Sequence, residues 1–293
     1  MTVVKPELAK SYMHHAKRSR RVTGSEVWKE AVINRYLPTI FSGATHASSL
    51  PSAQAVRGSR YLTWRLCAWA APVFLVGYVL AWGVLGFNIP PVDPSMAIGD
   101  LHAHYVDHNT RIKLAMILGM FFGPFYFVFS AVLSRVLQKI EGPDGPLSVI
   151  EQIGGALTTV VILVAGCCWL TAALRIDERT PEIIRTLHDF GWMFFDMTFM
   201  ATGLQLCAVG IVVLLDKRSE PLFPRWLAWL SFFAAMIFVP VALVGFFFTG
   251  PFAWNGLFNF WIGLNAFFLW AVLFAIYLFK AIDRLEREDA AAT

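Results

Sequence analysis

The chain has 293 residues and a formal net charge of +4, and 57% of it is apolar against 15% charged. A mean hydropathy of +0.58 is too high for a soluble domain and indicates a protein with several membrane spans. Disordered and collagen-like chains are excluded, because aromatic residues make up 15% of the sequence while glycine and proline are few.

The first 65 residues are basic and contain no apolar run long enough for a signal peptide, so we expect no cleavage. Apolar residues recur at helical spacing between Ser25 and Tyr36, which predicts a short amphipathic helix lying in the membrane interface. The basic cluster of residues 17–21 would dock this helix on a partner subunit or on anionic lipid, or would simply anchor it to the surface. Residues 42–59 are rich in Ser, Ala and Gly and predict a flexible arm. Residues 1–65 are therefore predicted to form a cytoplasmic segment.

Six stretches contain the roughly 20 apolar residues that a helix needs to cross a hydrocarbon core of about 30 Å. They are Leu66–Phe87, Ile112–Leu137, Leu147–Leu174, Phe190–Leu215, Phe223–Phe248 and Gly256–Ala281. β-barrel strands would be shorter and would alternate polar with apolar residues. The sequence therefore predicts an all-α, polytopic bundle of six transmembrane helices over residues 66–281, followed by a short tail of residues 282–293.

The orientation of the bundle follows from the 24 Lys and Arg residues, because basic loops resist translocation. Five of them lie on one side: Arg111, Lys113, Arg175, Arg179 and Arg185. The others lie on the side of the two termini, which are therefore predicted to be cytoplasmic. The positive net charge reflects this anchoring asymmetry, and we predict no nucleic-acid partner.

Small residues inside the spans predict close helix packing. Gly119 and Gly123 form a small-xxx-small pair, followed by Pro124, which favours close contact within the bundle or between protomers of a homo-oligomer. Pro124 and Pro240 are expected to bend their spans. The four cysteines also fall inside spans, which excludes a disulfide framework and favours packing roles: Cys67, Cys167, Cys168 and Cys207.

Four of the seven histidines fall on the predicted outer side: His102, His104, His108 and His188. A helix that starts near Asp100 would place His104 and His108 one turn apart, where they could chelate one ion. His188 and Asp189 would complete a transition-metal site if the second and fourth spans are neighbours.

Two other interpretations of these histidines stay open. Haem would need only His108 and His188 as axial ligands. Alternatively, the segment is a solvated polar loop whose charges complement Arg111, Lys113 and Arg185.

Four polar residues lie inside predicted spans, where they are costly: Asp196, Gln205, Asn259 and Asn265. Such residues normally face the bundle interior and mark a functional site. Asp189 and Asp196 are seven residues apart and share a helix face, which suits a proton or cation path. An ion pair of Asp196 with Arg111 or Lys113 is the structural alternative.

Two segments are typical of interface regions. The loop of residues 249–256 is short and aromatic and should place Trp254 at the level of the lipid headgroups. Residues 223–226, Phe-Pro-Arg-Trp, form a basic aromatic anchor. At this anchor and at residues 107–111 the sequence resembles a group of uncharacterised bacterial multi-helix membrane proteins, over about Asp100 to Ala281. The resemblance implies a bacterial cytoplasmic (inner) membrane address and no activity.

Several enzyme classes lack their motifs in this sequence, which has no Walker loop, no G-x-S-x-G and no HExxH. The sequence-based expectation is therefore a non-enzymatic integral subunit or accessory protein that packs against other membrane subunits or lipid. The first alternative is a metal or haem redox protein. The second is a small-solute or ion carrier, whose path Asp196, Gln205 and Asn265 would line.

Overall fold

The structure, a computed structural model, describes residues 53–292, and all of the following statements concern this part of the chain. Its regular elements are helices, without a strand among them. Six helical stretches are long and apolar enough to cross a membrane, and we number them spans 1 to 6: Gly58–Leu85, Asn109–Glu141, Pro146–Ala173, Pro181–Leu215, Trp226–Phe246 and Leu257–Ala291. The predicted all-helical, multi-span architecture is confirmed. The predicted interfacial helix at residues 25–36 lies outside the described residues.

Span 3 is one continuous α-helix, whereas the other five spans consist of two or more helical pieces. Span 1 consists of α1 (Ala53–Ala68), which begins five residues before the span, α2 (Ala70–Tyr78) and a π-helical segment (Val79–Leu85). The connection to span 2 contains α3 (Ile98–Asp107). Span 2 consists of α4 (Asn109–Phe122) and α5 (Phe125–Glu141). Span 3 is α6 (Pro146–Ala173), a 3₁₀ turn follows (Ile176–Glu178), and span 4 contains α7 (Pro181–Met197) and α8 (Phe199–Leu215). Span 5 contains α9 (Trp226–Ile237) and a 3₁₀ segment (Val239–Phe246); span 6 contains a π-helical segment (Leu257–Leu264) and α10 (Asn265–Ala291).

The spans run alternately up and down, so the bundle has two ends. We call the end where the described chain starts and finishes the terminal end, and the opposite end the distal end. At the terminal end, Arg65 binds Asp283 at 2.7 Å and Glu286 at 2.5 Å, which joins span 1 to span 6. At the distal end, the Asn109 side chain donates to the carbonyl oxygen of Ala173 at 2.8 Å, which joins span 2 to span 3.

The two prolines lie where sequence predicted bends. Span 2 is interrupted between Phe122 and Phe125, and span 5 changes from α to 3₁₀ geometry one residue before Pro240. Proline removes one backbone donor and its ring clashes with the preceding turn, so the regular helix cannot continue through it.

Several span boundaries differ from the prediction; span 6, for example, runs to Ala291 and not to Ala281. Span 4 begins at Pro181 and not at Phe190, so His188 and Asp189 lie inside a helix. A proline in the first turn suits a helix start, and hydropathy alone misses this polar first half. Residues 53–59, predicted to belong to a flexible arm, lie in α1. Two residues further along α1, the buried hydroxyl of Tyr61 donates to the Leu285 carbonyl oxygen of span 6 at 3.1 Å, which fixes this helix to the bundle.

Glycines let the spans approach closely inside the bundle. A Cβ atom on Gly119 would lie 3.4 Å from Trp82 of span 1, and one on Gly123 would lie 2.6 Å from Ile162 of span 3. The predicted close contact is thus found within the bundle, and a homo-oligomer through this pair stays a prediction. At Gly155 of span 3, a Cβ atom would lie 2.0 Å from the Oγ of Ser130 in span 2.

We expect Gly155→Ala to destabilise the protein by about 1–3 kcal/mol, because the added methyl group overpacks the contact between spans 2 and 3. Thermal unfolding in detergent measures the effect. Gly203→Ala in span 4 is the matched control, since nothing lies within 4 Å of its Cβ position. Alanine favours helix there, so this variant should be as stable as the wild type or slightly more stable. Equal losses in both variants would contradict the packing described.

Candidate functional site

Asp196 lies near the middle of span 4 and is 5% exposed. The side-chain amide of Asn259, in the π-helical segment of span 6, donates to Asp196 Oδ2 at 2.8 Å. The predicted ion pair of Asp196 with Arg111 or Lys113 is wrong for Arg111, whose guanidinium donates to the carbonyl oxygens of Leu85 and Val84. Those carbonyls end span 1 and have no partner within their own helix, so they attract the nearest cation at the distal end.

Glu151 is the second buried carboxylate inside the described spans, one turn and a half from the terminal end of span 3. Ser130 of span 2 donates to its Oε1 at 2.8 Å, and Gln205 of span 4 donates to the same oxygen at 3.2 Å. The Tyr126 hydroxyl in turn donates to Gln205 Oε1 at 3.0 Å. Glu151 Oε2 is buried and has no hydrogen-bond partner among the described residues. Three spans therefore converge on one carboxylate.

Sequence reasoning missed Glu151, although a signal for it was present. The residue lies inside the predicted third span, seven positions before Thr158, so the two share a helix face. A charged residue close to the end of an apolar run is easily read as part of the interface. The glycines that follow it, Gly154 and Gly155, mark the face on which other spans approach.

Two threonines lie between the carboxylates. The hydroxyls of Thr158 in span 3 and Thr202 in span 4 are 2.8 Å apart. Both residues line a cavity of about 70 Å³ that Asp196 and Asn259 also line. A single water needs about 10–15 Å³ of such space, so the cavity has room for several waters between Asp196 and the threonine pair.

We call the resulting series of side chains the polar row. It contains Asp196, Asn259, Thr158, Thr202, Gln205, Tyr126, Ser130 and Glu151. The series continues toward the terminal end, where Ser134 donates to the Ser148 carbonyl oxygen at 2.6 Å. Glu141 there accepts hydrogen bonds from the backbone amides of Leu147 and Ser148, both at 2.8 Å, and so caps the start of span 3. Polar groups thus extend from the middle of the bundle to its terminal end.

Asn265, predicted to line the same path, does not belong to the polar row. Its side chain donates to the carbonyl oxygens of Trp261 at 2.9 Å and Phe260 at 3.4 Å, both in its own span. The residue is exposed on the outer face of span 6. An amide on the apolar face of a span satisfies its donors on the preceding turn, as serine and threonine do.

Trp254, predicted to lie at the level of the lipid headgroups, is buried among protein groups. Its indole Nε1 donates to the Val92 carbonyl oxygen at 2.8 Å, and its ring stacks on Trp192 with centroids 5.9 Å apart. The loop of residues 249–256 therefore folds into the distal end of the bundle and closes one side of the cavity.

The predicted histidine site lies at the distal end, where α3 packs against span 4. The Tyr105 hydroxyl and the Nδ1 of His188 are 2.9 Å apart in the interior. The helix is interrupted at His108, between α3 and α4, yet the His104 and His108 rings remain neighbours with centroids 5.1 Å apart. Asp189 is half-buried one residue after His188. The histidine-bearing segment and span 4 are thus neighbours.

This geometry lends no support to a metal or haem site. Within residues 53–292, no group of three or more His, Cys, Asp and Glu side chains is arranged to hold a metal ion. His104 and His188 share a cavity of about 10 Å³, to which His108 does not contribute. One of the two nitrogens of His188 is already engaged by Tyr105.

The charge state of α3 follows from its surroundings. Burial lowers the pKa of His104, the neighbouring His108 lowers it further, and Asp107 opposes the shift. Burial also raises the pKa of Tyr105, and the charge of Asp189 adds to this. Near pH 7 the Tyr105 hydroxyl therefore keeps its proton and the His104 ring is neutral.

No protein-family model, no curated protein and no solved structure matches the chain. The predicted resemblance to bacterial multi-helix membrane proteins stays a prediction.

We expect stability to depend on pH through His104. The unfolded chain binds a proton on this ring near pH 6.5, whereas the folded protein binds it only at lower pH. The contribution of His104 is therefore fully present above pH 6.5 and is lost as the pH falls from there toward the folded pKa. The thermal midpoint in detergent should drop between about pH 7.5 and about pH 5.5, and His104→Gln should reduce this drop. His102→Gln, on the same helix, serves as the control. An unchanged drop in His104→Gln would refute the assignment.

Proposed function

We propose that this chain is a proton-coupled carrier of a small solute, with Asp196 and Glu151 as its two proton-binding groups. The observation that carries the proposal is the polar row, in which hydrogen-bonded hydroxyl and amide side chains lie between and around two buried carboxylates inside apolar spans. Ionisable residues inside spans are rare and mark ion paths and proton relays in pumps and transporters.

The side chains between the carboxylates suit proton transfer. Each Ser, Thr and Tyr hydroxyl can donate one hydrogen bond and accept others, so a proton can leave on one side as another arrives. The Thr158–Thr202 contact and the Ser130–Glu151 contact are both 2.8 Å, which is hydrogen-bond distance. Water in the cavity would join Asp196 to the threonine pair, because both line the same space.

The interrupted spans also support a carrier. Discontinuous helices near the bilayer midplane form the binding sites of many secondary transporters. Here Asp196 lies two residues before the break at Thr198, and Asn259 lies in a π-helical segment, a rare geometry that is frequent at functional sites. Backbone of this kind is tolerated at membrane depth only where protein or water surrounds it.

The Lys and Arg distribution supports cytoplasmic termini, and we propose the bacterial cytoplasmic (inner) membrane as the location of the chain. In that orientation Glu151 lies on the cytoplasmic side of the polar row and Asp196 lies toward the outer face. A proton that enters from outside would reach Asp196 first.

The accessory-subunit function expected from sequence stays a prediction. It rests on the aromatic faces of the spans, on the Gly119/Gly123 pair and on the amino-terminal segment, of which residues 1–52 lie outside the described part of the chain, and it requires other membrane subunits or a second copy as partners. The carrier proposal requires neither, since the polar row is formed within one chain.

Proton uptake into liposomes that contain the purified protein and are loaded with small organic solutes, cations among them, tests the proposal, and liposomes loaded alike but without protein are the empty control. A pH-sensitive dye is enclosed, and a membrane potential that is negative inside is set with potassium and valinomycin. We expect uptake above that of empty liposomes, and a decrease of about tenfold or more in Asp196→Asn and in Glu151→Gln, because an amide cannot exchange a proton as a carboxyl group does. Asp177→Asn and Glu220→Gln are matched controls on exposed residues and should keep the wild-type rate.

Two results would overturn the proposal. One is uptake equal to that of empty liposomes by a protein that is folded and inserted. The other is wild-type uptake in both carboxylate variants. Thermal unfolding and insertion are measured for every variant, so that loss of fold is not mistaken for loss of transfer.

A further inference from the structure

The cavity beside Asp196 is lined largely by aromatic side chains. Spans 1, 3, 4, 5 and 6 contribute to it, and about half of the residues that line it are aromatic, Trp192, Trp254 and Phe195 among them. Its volume of about 70 Å³ exceeds several times what one water needs. A space lined by aromatic faces and holding a single carboxylate combines two features that attract cations.

The charged residue that lines the cavity is acidic. Asp196 is the only carboxylate among the described residues that line it, and no Lys, Arg or His lines it. Tyr78 is the other titratable group in the lining. No fixed positive charge of the lining therefore repels a cation that enters. Asn259 donates to one oxygen of Asp196, Oδ2.

Two donors of the lining remain without a partner. The Tyr78 hydroxyl and the Trp192 Nε1 are buried and make no hydrogen bond with any described residue, and both side chains are 2% exposed. Leaving a buried donor unpaired costs about 1–3 kcal/mol, so natural proteins usually satisfy such groups with water or a ligand. Both donors need an acceptor atom, which an ammonium group does not supply.

Taken together, these groups define one class of ligand. We propose that the cavity binds a small organic cation that carries both an ammonium group and an oxygen acceptor, as an amino alcohol does. The ammonium group lies against Asp196 and the aromatic faces, and the oxygen accepts from Tyr78 or Trp192. This inference rests on the proposed function, for which it names the solute.

Proton coupling follows from the shared carboxylate. Asp196 binds the cation as a carboxylate, so a proton that it holds must first leave: its O–H bond breaks, and the proton passes to cavity water and the polar row. The cation then takes the place of the proton. Cation and proton thus compete for one group, which is the basis of an exchange of the two across the membrane.

A binding experiment with three ligands separates the contribution of the positive charge from that of the oxygen acceptor. The ligands are choline, its neutral isostere 3,3-dimethyl-1-butanol, and tetramethylammonium, which has no oxygen. Binding to the full-length protein in detergent is followed by tryptophan fluorescence and calorimetry, because Trp192 and Trp254 line the cavity. We expect choline to bind at least about tenfold more tightly than the neutral isostere, since a buried cation–aromatic contact and the carboxylate act only on the charged ligand. Asp196→Asn should abolish this difference, whereas Asp177→Asn, on an exposed turn, should keep it.

If Asp196→Asn does not fold, the variants Tyr78→Phe and Trp192→Phe still test the proposal. Each removes one donor and keeps an aromatic ring, so choline binding should weaken more than tetramethylammonium binding does. The proposal is overturned if the neutral isostere binds as tightly as choline, or if a folded Asp196→Asn protein keeps the preference.

Failure of this inference is distinguishable from failure of the proposed function. Proton uptake in liposomes that depends on Asp196, together with no choline binding, overturns the ligand class and leaves the proton path. Choline binding that depends on Asp196, together with no proton uptake into choline-loaded liposomes, supports the ligand class and overturns the proton path.

Discussion

A carboxylate inside an apolar bundle must find its polar partners on neighbouring spans, because lipid offers none. The arrangement of this bundle follows that requirement at two places. Asp196 takes a donor from span 6, and Glu151 takes donors from spans 2 and 4. Gly155 makes the second set possible, since any side chain there would overlap Ser130. Removing either carboxylate's partner would leave an unpaired buried polar group, so these contacts specify which spans pack together.

The unbroken span 3 and the interrupted spans around it have different roles. Span 3 carries Glu151 and Thr158 on one face and so sets the spacing of the polar row. Interrupted spans supply the cavity wall, with Tyr78 at the end of α2, Thr198 between α7 and α8, and Asn259 in a π-helical segment. Deviations from regular helix direct polar groups inward, and they occur where the bundle surrounds a polar space.

Much of the fold was predictable from sequence, because span length, apolar runs and proline positions act locally. Asp196, Gln205 and Asn259 were also predictable as interior residues, since polar groups in a span seek one another. Their partners were not, because sequence does not reveal which spans are neighbours: Asp196 pairs with Asn259 and not with Arg111. Glu151 was missed because it lies near a span end. Asn265 was wrongly predicted to face the interior for two reasons. Its amide can donate to the backbone of its own helix, and the side of span 6 on which it lies depends on the π-helical segment that precedes it.

The central claim is that the polar row adjoins a water-accessible space inside the bundle. Cysteine accessibility tests it most directly, in protein whose four native cysteines are replaced by alanine. Thr202→Cys lines the cavity, whereas Leu204→Cys, two residues along the same span, replaces a side chain that is 57% exposed on the outer surface of the bundle. In membranes, a small water-soluble methanethiosulfonate should label residue 202 and spare residue 204, which faces lipid. The account would be contradicted if the reagent labelled residue 204 and did not label residue 202.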